Sequence, residues 1–231
     1  MKYTIGIDIG GSSTKIVGFD ENKNLIKPIL VKASDPVTSA YGAFGKFTSE
    51  NNIQLDEIGK IKMTGVGAAF MDGRIFGKKF DTCREFSCVG LGGLYISGLD
   101  RCVVVSMGTG TSMVYAEKDS KIEYLGGTGV GGGTLVGLSK LLLGSGQIDH
   151  LISLAENGNI ENIDLQIKNL TKKGNLPDVP LDLTAANFGN VSADATKEDI
   201  ATGLLNMVFE TVGMCAIFAA RKYDIRDIVL T

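Results

Sequence analysis

The chain has 231 residues, 44% of them hydrophobic, enough to bury a sizeable core in one large domain or two small ones sharing a cleft, which excludes a disordered polymer. Net charge is -3 and the 23 basic residues are scattered among acidic ones, so no basic stripe marks a nucleic acid or an anionic membrane as partner, and a small molecule is expected instead. The first residues show no secretory leader, no apolar run approaches the roughly 20 residues of a bilayer span, and the four cysteines lack CxxC pairing, so a reducing cytoplasmic setting is expected.

Residues 3–9 alternate in period two, with Tyr3, Ile5 and Ile7 on one face. A glycine turn leads to Ile16 and Phe19, and the polar turn Glu21-Asn22-Lys23-Asn24 leads to 25–31, which together predict a three-stranded meander. Asp35-Pro36 places proline at a first helical position and predicts a helix over 36–50. A short strand over 61–64 runs into a glycine-rich loop through Gly67. Residues 79–83 are strand-like, and 85–97 carry Phe86, Val89, Gly90, Gly93 and Leu94 at helical spacing. Residues 101–106 read as a buried strand, 113–116 and 122–125 as a hairpin around Lys118-Asp119-Ser120, and 134–143 as a helix. Further helices are predicted over 147–157, 163–170 and, with a long apolar face, 197–221, before a last strand at 227–230. DIGGSST at 8–14 echoes SMGTGTS at 106–112, each run lying between two strands. Two similar halves, 1–100 and 101–231, facing each other across a cleft would explain the echo.

The 31 glycines are nearly twice the ordinary share and gather in three clusters, as expected where backbone bends sharply or approaches a ligand. Backbone N–H groups converging in a concave turn hold phosphates well. Gly10, Gly11, Ser12, Ser13 and Thr14 fit that description, with Lys15 as a point charge for β/γ-phosphates and Asp8 at the strand end to hold Mg²⁺ through water. A plain hairpin with an exposed Asp8 is the equal alternative for this motif alone. Gly108, Thr109, Gly110, Thr111 and Ser112 form a second such turn, and two in one chain are less easily accidental. The third cluster, with Gly129, Gly131, Gly132 and Gly133, opens onto a helix start whose free N–H groups favour anions. It follows a β-rich stretch rather than opening a first βαβ unit, which argues against a dinucleotide fingerprint and NAD. Glu85, at a predicted helix start, is the candidate general base for an alcohol, with dipole complementation as the plainer reading.

These motifs together resemble the type II pantothenate kinases over nearly the whole chain: DIGGSSTK at 8–15, Arg84-Glu85-Phe86, MGTGTS at 107–112, GGTGVGGGT at 126–134, IDL at 163–165 and DLTAANFGNV at 182–191. The resemblance implies an α/β, duplicated actin-like ATPase fold, two lobes around a nucleotide cleft, and ATP-dependent phosphorylation of pantothenate at the start of coenzyme A synthesis. It implies Glu85 as base for the pantothenate hydroxyl, the first and second turns on ATP phosphates and Mg²⁺, and Ser112 at the acceptor side. Two departures stand out. The family has an arginine where this chain has Tyr124, and a phenol cannot form a guanidinium's charge-assisted hydrogen bonds, which favours a kinase for another hydroxylated metabolite as the rival reading. The family also continues past the last strand with an adenosine turn and a helix, so the second lobe is expected to be incomplete here. A non-catalytic ATP-dependent sensor on the same fold is a rival of another class.

His150, the only histidine, reads as an ordinary helix residue, and Cys83 and Cys88, which flank Glu85, read as small buried hydrophobes. The apolar stretch 204–218 reads as core, and the resemblance implies that it contributes to a homodimer interface. Asn187 is expected to position a loop.

Overall fold

In the computed structural model, which describes residues 2–11, 13–32, 35–171 and 179–231, the alternation at the amino end becomes strand β1 (Tyr3–Ile9), with Ile5, Ile7 and Ile9 all buried. It pairs antiparallel with β2 (Ser13–Phe19), which pairs antiparallel with β3 (Leu25–Lys32). Helix α1 (Pro36–Glu50) starts where Asp35 caps it, accepting from the Thr38 N–H at 2.6 Å, and it buries Ala40, Ala43, Phe44 and Phe47 on one face. The chain then enters β4 (Ile58–Thr64), parallel to β1. A small hairpin, β5 (Arg74–Ile75) and β6 (Lys78–Lys79), precedes β7 (Asp81–Thr82), which lies parallel to β4. The sheet order is β3-β2-β1-β4-β7.

Helix α2 (Glu85–Ser97) carries the boundary between two compact units, Met1–Gly92 and Gly93–Thr231, each with its own hydrophobic core. The second unit repeats the plan of the first. Its strands β8 (Arg101–Met107), β9 (Thr111–Glu117) and β10 (Ile122–Thr128) form an antiparallel meander. The helices α3 (Gly132–Leu143) and α4 (Ile148–Ala155) follow. After them come β11 (Leu165–Gln166), α5 (Ile167–Leu170) and β12 (Thr184–Ala186), then the long α6 (Lys197–Lys222) and β13 (Ile228–Leu230). β13 lies parallel to β8, giving the order β10-β9-β8-β13. In both sheets the opening strand is flanked by its antiparallel neighbour on one side and a parallel strand on the other, which accounts physically for the sequence echo.

Two readings need correction. The helix expected over 163–170 is confined to α5, because Leu165 and Gln166 pair with β12 some twenty residues later, a long-range partner that local periodicity does not record. α6 is, among the described residues, the one helix long and apolar enough to cross a membrane by length and composition, contrary to the expectation that no run approaches that size. Its Leu204, Val208, Val212, Ala216 and Ala220 recur at helical spacing and fill the second core, so here it acts as a core helix. Thr196 and Asp199 form a reciprocal capping box at its start.

Candidate functional site

β1 and β2 present Asp8 and Lys15 directly opposite each other in register, and Lys15 Nζ donates to Asp8 Oδ2 at 3.0 Å. Both side chains reach solvent, so this pair is weak and exchangeable. Between them the chain reverses at the first glycine turn, closed by the Gly10 N–H donating to Ser13 O at 2.9 Å. Ser12 lies outside the described residues. Gly11 is exposed, and Gly10, Gly11, Ser13 and Thr14 line a small hollow with Asp35, Pro36 and Ser39. Donors from Thr38 hold the Asp35 carboxyl below its ordinary value. Thr14 requires a correction. Its side chain is fully buried and its Oγ1 accepts from Ser39 Oγ at 2.6 Å, so the hydroxyl joins β2 to α1 and is not an open phosphate ligand.

The ends of β1 and β4 press together beside Asp8. Gly65, just past β4, sits at φ 87 and ψ 161, and a Cβ there would stand 2.5 Å from Asp8 Oδ1 and 2.4 Å from Ile9 O. Only glycine allows that approach. At the same edge, Thr64 Oγ1 donates to Cys83 O at 3.1 Å and the Cys83 N–H donates to Met63 O at 2.8 Å. These bonds tie the start of α2 to the carboxyl end of β4. Glu85, exposed, is the first residue of α2. Asp8, Thr64 and the segment leading into Glu85 thus share the carboxyl ends of parallel strands, where open α/β sheets take their ligands.

The second turn, between β8 and β9, is closed by the Gly108 N–H donating to Gly110 O at 2.8 Å. Here the reading of the third cluster changes. The Gly132 and Gly133 N–H groups, expected to be free for an anion, donate to Gly108 O at 2.9 Å and Thr109 O at 2.8 Å. The Gly131 N–H donates to Thr134 Oγ1 at 3.2 Å. A Cβ on Gly132 or Gly133 would fall 2.7 Å from those same carbonyl oxygens. Glycine is needed because the third cluster packs main chain on main chain and braces the second turn. Thr111 is also engaged internally, its buried hydroxyl donating to Val130 O at 2.8 Å. The amides of Thr109 and Gly110 have no partner among the described residues, and Gly129 is exposed.

Tyr124 and Ser112 come together. Gly127 pairs with Ser112 across β10 and β9, and a Cβ on Gly127 would meet Tyr124 Oη at 3.2 Å and Ser112 Cα at 3.4 Å. The two motifs at 163–165 and 182–191 also meet. Asp164, fully buried, accepts from the Phe188 N–H at 2.7 Å and from Asn206 Nδ2 at 2.8 Å, and Asn187 Nδ2 bridges Asp164 and Glu210 at 3.3 and 3.0 Å. Sequence reasoning singled out Asn187 but not Asp164, Asn206 or Glu210. The signal available was the pair of motifs, not their spacing.

No cluster of three or more metal-ligating side chains exists among the described residues. A single half-exposed carboxylate, Asp8, suits Mg²⁺ carried mostly by phosphates and water, since Mg²⁺ is commonly held by one or two carboxylates plus substrate oxygens.

The Fumble family model matches residues 101–231. The type II pantothenate kinase of Staphylococcus aureus (strain USA300) is 32% identical over 97% of this chain and 82% of that protein. That of the bovine strain RF122 / ET3-1 is 31% identical over the same shares. This chain belongs to the type II pantothenate kinase family. Among solved structures, component A of the Acidaminococcus fermentans (R)-2-hydroxyglutaryl-CoA dehydratase has a TM-score of 0.67 at 16% identity, covering 100% of this chain and 83% of that one. The activator of the Clostridium difficile 2-hydroxyisocaproyl-CoA dehydratase, with bound ADPNP, has a TM-score of 0.63 at 14% identity, covering 99% and 88%. At such identities these likenesses concern the fold, which is that of the actin-like ATPases. In this family member the third glycine cluster braces the second turn.

Proposed function

We propose that this chain transfers the γ-phosphoryl group of ATP to the hydroxyl of pantothenate, giving 4′-phosphopantothenate and ADP at the start of coenzyme A synthesis. The observation that carries the reading is the 32% identity with a type II pantothenate kinase over 97% of this chain. The first turn, at Gly10, Gly11 and Ser13, and the amides of Thr109 and Gly110 hold phosphate oxygens, with Gly129 beside the second turn. Lys15 leaves Asp8 for the β/γ-phosphates, and the freed Asp8 carboxylate orients Mg²⁺ through water. Mg²⁺, when bound, neutralises charge on the phosphate tail. Glu85 accepts the hydroxyl proton as the acceptor oxygen bonds to the γ-phosphorus and the bond to ADP breaks. Ser112 and Tyr124 contact the acceptor. The chain works in the cytoplasm as a homodimer, whose interface includes the exposed Phe209, Met214, Ile217 and Phe218 of α6.

The test is ADP release by purified protein with Mg-ATP and pantothenate. Glu85→Gln should lower turnover by about 10²–10⁴-fold and leave nucleotide affinity unchanged. Wild-type turnover surviving in that variant would remove Glu85 from the role. A second reading, a kinase for another alcohol, is favoured by Tyr124, and turnover with that alcohol but not with pantothenate would establish it. Nucleotide binding without any acceptor-dependent turnover would replace both with a sensor.

A further inference from the structure

Ser87 and Cys88 both donate their N–H groups to Arg84 O, at 3.0 and 3.2 Å, so Arg84 is the capping residue of α2 and Glu85 its first helical residue. Cys83 therefore occupies the position before the cap and Cys88 the fourth helical position. Side chains at these two positions touch, which is the geometry of a hydrophobic staple. Here both arms of the staple are thiols. The Cys83 and Thr64 side chains and the Asp8 charge all act on the Cys88 thiol. Both cysteines are half-buried, not sealed in the core as Cys102 is, so a small oxidant can reach them.

We propose that Cys83 and Cys88 are a redox-modification site, closing reversibly to a disulfide that locks the first turn of α2. Hydrogen peroxide takes one thiol to a sulfenic acid with release of water, and the second thiol then attacks that sulfur, forming the S–S bond and releasing a second water. The main chain of Cys83 is held at both ends, by Met63 O and Thr64 Oγ1, so it cannot move. Closure instead draws Cys88 and its helical turn toward β4 and displaces Glu85. The effect on phosphoryl transfer rests on the function proposed above, whereas bond formation does not.

Trypsin separates the two cysteines by cleaving after Arg84, so the experiment needs no variant. Full-length protein treated with hydrogen peroxide and digested without reductant should yield peptides 80–84 and 85–101 as one linked species lacking two hydrogens, which dithiothreitol splits. Linkage should form about tenfold or more faster in native protein than in concentrated urea, because the fold holds the thiols together. Turnover should fall about tenfold with the same time course and recover on reduction, and Cys88→Ser should keep its activity through the same exposure. Separate peptides carrying sulfinic acid, linkage of Cys83 to Cys102, Cys215 or a second chain, or equal rates in urea would each overturn the site. If the protein phosphorylates no alcohol, the peptide map still decides the disulfide.

Discussion

Gly65→Ala probes the contact that seats Asp8. The residue's φ 87 and ψ 161 lie in a region essentially reserved for glycine, and forcing a side chain into it costs about 1–3 kcal/mol. The new carbon would stand 2.4 Å from Ile9 O and 2.5 Å from Asp8 Oδ1. The carbonyl belongs to a strand paired on both sides and cannot swing away, so overpacking adds about 1–3 kcal/mol. A total of roughly 2–6 kcal/mol is a large part of the about 5–15 kcal/mol by which ordinary domains are stable. Urea unfolding followed by circular dichroism should show the midpoint lowered accordingly. Because the Asp8 carboxylate must also move, titration calorimetry on the folded protein should show Mg-dependent ADP affinity reduced by about tenfold or more. An unchanged midpoint would refute the close packing of β4 on β1. A lowered midpoint with intact Mg dependence would detach Asp8 from the metal.

Thr14→Val should leave Ser39 Oγ buried without its acceptor and cost about 1–3 kcal/mol in urea unfolding, with nucleotide affinity within about twofold of wild type; a large loss of affinity would return Thr14 to the phosphate site. Lys15→Met should do the reverse, weakening nucleotide binding about tenfold or more at unchanged stability, because its partner Asp8 is solvent-accessible; equal affinity would exclude Lys15 from the phosphates. The Asp199 carboxyl is held down to about 2 by the Thr196 and Asn159 N–H groups and the Asn162 amide, within the α6 cap. A lowered carboxyl stabilises the fold fully above about pH 4 and loses that contribution as pH falls toward 2, a span worth on the order of 2 kcal/mol. Asp199→Asn should therefore destabilise at neutral pH, and the gap from wild type should narrow through that acid window. A gap independent of pH would refute the assignment.

Local order was largely legible. Period-two runs and polar turns located both meanders, and Asp35-Pro36 marked α1 because capping chemistry is written in adjacent residues. What stayed hidden depends on distant partners. Thr14 looked like a phosphate residue because its neighbours do, and only Ser39 on α1 shows where its hydroxyl goes. The third cluster looked like a free anion site because a sequence does not reveal that Gly108 and Thr109 carbonyls already hold its amides. Asp164 drew no attention as a buried carboxylate because its donors come from 187–188 and from Asn206 on α6.

The buttress under the second turn has a consequence for how this protein can be altered. Its shape is dictated by carbonyls and amides, which no point substitution can retune gradually. A larger residue at Gly132 or Gly133 wedges the loops apart outright, while most exchanges elsewhere leave the turn untouched. Under the function proposed above, a change of acceptor is therefore a matter for neighbouring side chains such as Ser112 and Tyr124.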